Sequence, residues 1–138
     1  MHRQKVTFAW NDQDVSKVMQ SMFAPPGENY KFIDIPLANY ASSSFDAVMS
    51  GGKVVGASMF SGYSCNERKV LSLGFVEEQY AKPGTNLTLL WGEENSGTEK
   101  TTVERHKQLE MRVTVGPTPY GKQARETYHQ GWRTAAGR

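Results

Sequence analysis

Cysteine is almost missing from this sequence: Cys65 is the only one in 138 residues. An intrachain disulfide is therefore excluded, and a cytoplasmic setting is the default expectation. Long apolar runs are missing too. Nothing near the N-terminus reads as a signal peptide, and no stretch reaches the roughly 20 apolar residues that cross a bilayer, so no membrane role is expected. Nor is there a surplus of one charge. The 16 basic and 14 acidic residues leave a formal net charge of +2. That balance argues against a nucleic-acid partner, for which a concentrated basic patch is expected. The P-loop, the dinucleotide-binding glycine pattern and the paired-cysteine zinc site do not occur either.

What is present suits one folded domain spanning residues 1–138. Hydrophobic residues make up 38% and aromatics 11%, unlike a disordered chain. A chain near this length buries roughly two-thirds of its unfolded surface. Residues 1–4 and about 131–138 are expected to be flexible.

Val6, Phe8 and Trp10 alternate within residues 5–10, which predicts a strand. Asn11 then reads as a helix cap, with Asp12 and Asp14 in a first turn that favours negative charge. Val15, Val18, Met19, Met22 and Phe23 follow at helical spacing and form one apolar stripe, ended by Pro25-Pro26-Gly27. Residues 30–35 read as a strand or extended segment. Phe45–Ser50 and Lys53–Phe60 flank Gly51-Gly52, a hairpin signal because tight hairpin turns need positive φ. Gly62 to Arg68 reads as a polar connection, Val70–Val76 and Leu87–Trp91 as strands, Lys82-Pro83-Gly84-Thr85 as a turn, and Glu93 to Gly97 as a hairpin tip. Leu109, Met111, Val113 and Val115 alternate with Glu110, Arg112 and Thr114, the clearest strand pattern in the chain. Residues 121–138 form a basic, weakly patterned tail that Tyr128 and Trp132 could anchor. The fold class is mainly β: a small β-barrel or two-sheet sandwich of about six strands with one N-terminal amphipathic helix.

Groups that could carry chemistry are sparse. His2, His106 and His129 have no spacing that predicts metal ligation. Cys65 lies near Arg68 and Lys69, which could lower a thiol pKa, but no nucleophile signature surrounds it and an unreactive thiol is the favoured reading. Glu93-Glu94 reads as a solvated turn. Arg105 and His106 read as the approach to the last strand, and Tyr40 reads as packing. Asn66-Glu67-Arg68 divides more evenly between a solvated turn and a contact, since Arg presents a planar fork suited to a carboxylate or phosphate.

The run from Val48 to Ser64 carries a short hairpin, Gly51-Gly52-Lys53-Val54-Val55-Gly56, and then Ser61-Gly62-Tyr63-Ser64. Pro83-Gly84-Thr85-Asn86-Leu87 follows the next strand. In that order these segments resemble the C-terminal domain of glycine-cleavage T-proteins, the aminomethyltransferases. The segments Tyr30 to Tyr40, Gly62 to Arg68, Leu90 to Glu94, Thr101 to His106 and Val115 to Tyr120 are similar to one branch, the tetrahydrofolate-dependent aryl O-demethylases of the vanillate and syringate type. The resemblance covers about residues 5 to 130.

It implies a one-carbon or methyl transfer to tetrahydrofolate, with the folate pocket built mainly by a larger N-terminal region. The C-terminal barrel would pack on that region and partly close the site. No counterpart of the region precedes residue 5, so the expectation is a fragment of a longer enzyme, or a short product working with a separate partner chain. Either way the chain alone is expected to be inactive. Tyr63, Glu67 and Arg68 are the candidate rim or cofactor contacts, with no general acid, general base or metal ligand assigned. Two readings without catalysis stand beside this one: a self-associating barrel, and a weak nucleic-acid binder that stacks bases on its aromatics.

Overall fold

The structure is a computed structural model. It describes residues 2–33, 45–93, 105–118 and 120–121. Six strands occur among these residues: β1 (Arg3–Trp10), β2 (Asp46–Ser50), β3 (Lys53–Ser64), β4 (Lys69–Glu77), β5 (Asn86–Trp91) and β6 (Leu109–Gly116). They close into an antiparallel barrel in the order β1-β4-β3-β2-β5-β6, with β6 returning to β1. Closure gives each of the six strands two neighbours and decides between the two architectures that the strand pattern allowed.

Alternation drives the barrel. Val6, Phe8 and Trp10 of β1 point inward, as do Val70, Ser72, Gly74 and Val76 of β4, Leu87, Leu89 and Trp91 of β5, and Met111, Val113 and Val115 of β6. Burying each large side chain of this set contributes about 1.5–3 kcal/mol. Trp10 and Trp91 meet edge to face inside, with ring centroids 5.4 Å apart. The interior also holds a short polar chain: Trp10 Nε1 donates to Ser72 Oγ at 3.0 Å, and Ser58 Oγ donates to Ser72 Oγ at 2.6 Å. Gly74 is required by closeness, since a Cβ there would lie 2.1 Å from the carbonyl oxygen of Ala57.

The β2–β3 turn is Gly51-Gly52, with φ of +57° and +80°, as the sequence predicts. Other boundaries differ from the sequence reading. β1 starts at Arg3, and Arg3 and Gln4, expected to be flexible, pair with Glu77 and Val76. β3 runs on through Gly62, Tyr63 and Ser64, which the sequence placed in a polar connection; the turn is Cys65 to Arg68. β3 can extend because it is irregular. Its register shifts opposite Val48/Met49, leaving Val55 as an extra residue, and shifts again between Met59 and Gly62. The expected strand over 30–35 shrinks to a single parallel bridge between Tyr30 and Lys107 among the described residues. Tyr30, Lys31 and Ile33 pack there through side chains and backbone caps instead of a ladder.

Helix α1 (Asp12–Gln20) follows β1 and is capped as expected, the Asp14 amide donating to Asn11 Oδ1 at 3.0 Å. Val18 is buried, and Val15 and Met19 pack against the core. The predicted stripe does not continue. After Gln20 the chain tightens into a 3-10 turn, Ser21–Phe23, and Met22 and Phe23 are exposed. At 3.0 rather than 3.6 residues per turn the apolar spacing no longer keeps one face. No described helix is long and apolar enough to cross a membrane. Tyr40, Glu94 to Gly97, Thr101 to Glu104, Tyr128, His129, Trp132 and residues 131–138, for which the sequence raises expectations, lie outside the described residues.

Candidate functional site

The three site residues singled out in the sequence share the tip of the β3–β4 hairpin. Ser64 pairs with Lys69, and the turn between them holds Glu67 and Arg68. The Glu67 amide donates to Ser64 Oγ at 3.2 Å, which tightens the turn. Arg68 closes it in the left-handed region, φ +54°, where a side chain other than glycine is held at a cost. Tyr63 pairs with the inward-facing Val70 but is itself exposed, so it stands at the barrel rim. Glu67 reaches back toward the C-terminal segment: a Cβ on Gly121 would lie 3.0 Å from Glu67 Oε1. Cys65 is exposed in the same turn.

Beside this tip a concavity of about 600 Å³ opens on the outer barrel wall. Ala9 and Thr114, which pair across β1 and β6, belong to its lining, together with Lys69, Asn86, Arg112 and Tyr120. Tyr120 takes its place because Gly116 leaves room, a Cβ there falling 2.6 Å from the Tyr120 ring. The volume lies within the ordinary range of ligand pockets. None of Tyr63, Glu67 and Arg68 lines it; Lys69 is the nearest in sequence that does.

The electrostatics of the concavity are internally settled. Lys69 Nζ pairs with Asp12 at 3.0 Å. Arg112 grips Asp14 through two side-chain bonds, Nε to Oδ2 at 2.9 Å and Nη2 to Oδ1 at 2.7 Å, and its backbone amide also donates to Oδ2 at 2.9 Å. Those guanidinium bonds hold the Asp14 carboxyl below the usual carboxylate range, against the opposing push of burial, and they raise Arg112 in turn. Asn86 Oδ1 accepts from Thr114 Oγ1 at 3.1 Å. Each cation here already has a carboxylate, so an anionic ligand would have to displace one. The clamp fastens α1 to β6 across the sequence. The alternation of β6 marked Arg112 only as a wet-face residue, and no local signal linked it to Asp14.

His106, read as an edge residue, is buried. Its Nε2 accepts from the Glu93 amide at 2.8 Å. Glu93, read as a solvated charge, is half-buried and pairs with Lys31 Nζ at 2.9 Å. Lys31 also lies over the Trp91 ring, and Trp91 Nε1 donates to the Lys31 carbonyl at 2.7 Å. These groups tie the 29–33, 91–93 and 105–108 segments together, which is a structural use of both residues. Among the described residues, no group of three or more His, Cys, Asp or Glu could hold a metal. The site can contact a ligand or a neighbouring surface.

No protein-family model matches the chain. Curated proteins do, and two of them are informative. The chain is 47% identical over 133 residues to a syringate O-demethylase of Sphingobium sp., an alignment covering 96% of this chain and 29% of that protein. It is 36% identical over 128 residues to a sesamin methylene transferase of Sinomonas sp., covering 86% of this chain and 26% of the relative. The chain thus spans less than a third of the length of either curated relative. Identity at that level along nearly the whole chain cannot come from a shared barrel shape alone: by sequence the chain is similar to one part of each of these two enzymes.

Proposed function

We propose that this chain is the C-terminal barrel domain of a tetrahydrofolate-dependent O-demethylase or methyltransferase, working in the cytoplasm. It packs on a larger N-terminal region, in the same polypeptide or a separate one, and partly closes the folate and substrate site that this region builds. The observation that carries the reading is the alignment covering 96% of this chain but only 29% of an O-demethylase. In such an enzyme the folate accepts the transferred one-carbon unit, and this domain's own residues would position and exclude water.

Tyr63, Glu67 and Arg68 are the residues assigned to the rim. Tyr63 offers an exposed ring for a flat group, and Arg68 offers a fork for a carboxylate. The outer concavity is a poorer place for folate, because its cations are already paired with Asp12 and Asp14.

The test is a thermal unfolding titration of the chain with reduced tetrahydrofolate, run beside a hybrid enzyme. In the hybrid, this chain replaces the matching part of the Sphingobium protein. Ligand that binds only the folded state adds about 2.7 kcal/mol at 100 times its Kd. A hybrid that folds and demethylates syringate with tetrahydrofolate as acceptor supports the reading. A folded hybrid with no such activity, together with no folate-induced shift in the isolated chain, sinks it. Tyr63→Ala and Arg68→Ala in the hybrid are expected to raise KM several-fold while kcat changes little; unchanged KM in both removes the rim assignment.

A further inference from the structure

The outer wall of the barrel carries an apolar area that stays exposed among the described residues. Phe45, Phe60 and Leu73 are 62%, 58% and 37% exposed. Strand register brings them together. Leu73 pairs with Met59, next to Phe60, and Asp46, next to Phe45, pairs with Ser58. Half-buried Ala57, Met59 and Leu71 fill the sheet between them. Contiguous exposed apolar surface of this kind marks an interface.

A second feature singles out the same place. Between Met59 and Gly62 β3 carries one residue more than β4, and Phe60 sits in that bulge with φ +53°. Glycine is the usual occupant of a left-handed bulge position. A bulky aromatic held there costs the isolated fold stability, and such strain persists where the displayed side chain has a use. Another exposed apolar group, Met22 and Phe23 after α1, lies in ordinary right-handed backbone and has no such signature.

We propose that the Phe45–Phe60–Leu73 face of the β2–β3–β4 sheet is the surface by which this domain docks on the remainder of an O-demethylase polypeptide, through an apolar patch there. The proposal rests on the function proposed above. The occupant follows from length: both curated relatives carry more than two-thirds of their sequence outside the part that matches this chain.

The experiment is scanning calorimetry of the hybrid enzyme and of the isolated chain, each with Phe60→Gly, Leu73→Lys and, as a control, Phe23→Ser. A docked hybrid unfolds in one transition. Phe60→Gly and Leu73→Lys are expected to split it in two, while neither lowers the unfolding temperature of the isolated chain and Phe60→Gly raises it. Phe23→Ser is expected to leave the single transition intact. A single transition that survives both face substitutions overturns the proposal and leaves the parent reading standing. Two independent transitions in the unsubstituted hybrid overturn both. Splitting by Phe23→Ser moves the surface to the helix end and overturns it. A dimer of the isolated chain by light scattering, dissociated by Leu73→Lys, assigns the face to a second copy and overturns it as well.

Discussion

Strands β6 and β3 belong to one barrel and are built differently. β6 spans eight residues in unbroken register with β5, burying Met111, Val113 and Val115 while Arg112 grips the helix from outside. β3 spans twelve, breaks register twice, and displays Phe60 and Tyr63. A strand whose two faces are both satisfied within the domain needs no irregularity. One that must hold the barrel closed and present side chains outward uses bulges to do both, because each extra residue changes which side chains face the core. The first bulge sends Val55 into the core, where it is 3% exposed; the second puts Phe60 at the surface.

The largest expected effect compares the same residue type on the two strands. Met111 on β6 is fully buried, whereas Met59 on β3 lies half-buried on the outer wall. Met111→Ala should cost about 2–5 kcal/mol, with loss of the packing around it. Met59→Ala should cost well under that in the isolated chain. Denaturant unfolding of both variants decides it, and equal losses would mean that the outer wall of β3 is packed in solution. Next comes the interior polar chain. Ser72→Ala strips the acceptor from the buried Trp10 N–H, which should cost about 1–3 kcal/mol. Ser58→Ala, on β3, leaves that acceptor in place and should cost less. If Ser58→Ala costs as much as Ser72→Ala, the Ser58 hydroxyl is what holds Ser72 in place to accept from the indole.

How much of this was legible follows the same division. β6, β5, β4, the Gly51-Gly52 hairpin and the Asn11 cap could be read because their signals are local: alternation, turn chemistry and a capping side chain. The far half of β3 was missed because Gly62, Tyr63 and Ser64 look like a polar loop, and a bulge destroys the period-two pattern that would reveal a strand. Met22 and Phe23 were read as buried because a period of 3.6 was assumed past the point where the helix tightens. The Asp14–Arg112 clamp joins residues far apart in the chain, and periodicity carries no information about such pairs. The candidate site was legible only as a hairpin tip. Its neighbouring concavity, assembled from β1, β4, β5, β6 and Tyr120, was not.

The clamp gives β6 an acid sensitivity that β3 should lack. Arg112 depresses the Asp14 pKa in the folded state. A depressed carboxylate stabilises the fold above its unfolded pKa, and that contribution disappears as pH falls through the lower, folded value. Wild type should therefore lose stability from about pH 4 downward. Arg112→Gln should start less stable at neutral pH and show a shallower acid slope. Unfolding midpoints at neutral pH and at about pH 3 measure both; parallel slopes would mean that the pair is solvated rather than clamped.

The smallest effect separates backbone from side chain at the hairpin tip. Arg68 holds φ at +54°, and the side chain is exposed. Left-handed backbone costs a residue with a Cβ about 1–2 kcal/mol, whereas glycine reaches it freely. Glycine also gives the unfolded chain more freedom, which offsets part of that gain. Arg68→Gly should thus be slightly more stable than Arg68→Ala, by about 1 kcal/mol at most. If the guanidinium makes a rim contact, both variants lose it equally: the hybrid enzyme's KM should rise by the same factor in each, although their unfolding temperatures differ. A KM that instead tracks stability would assign Arg68 to shaping the turn. Tyr63 would then be the exposed rim residue left to account for, because its backbone is ordinary strand and carries no strain that could stand in for a lost contact.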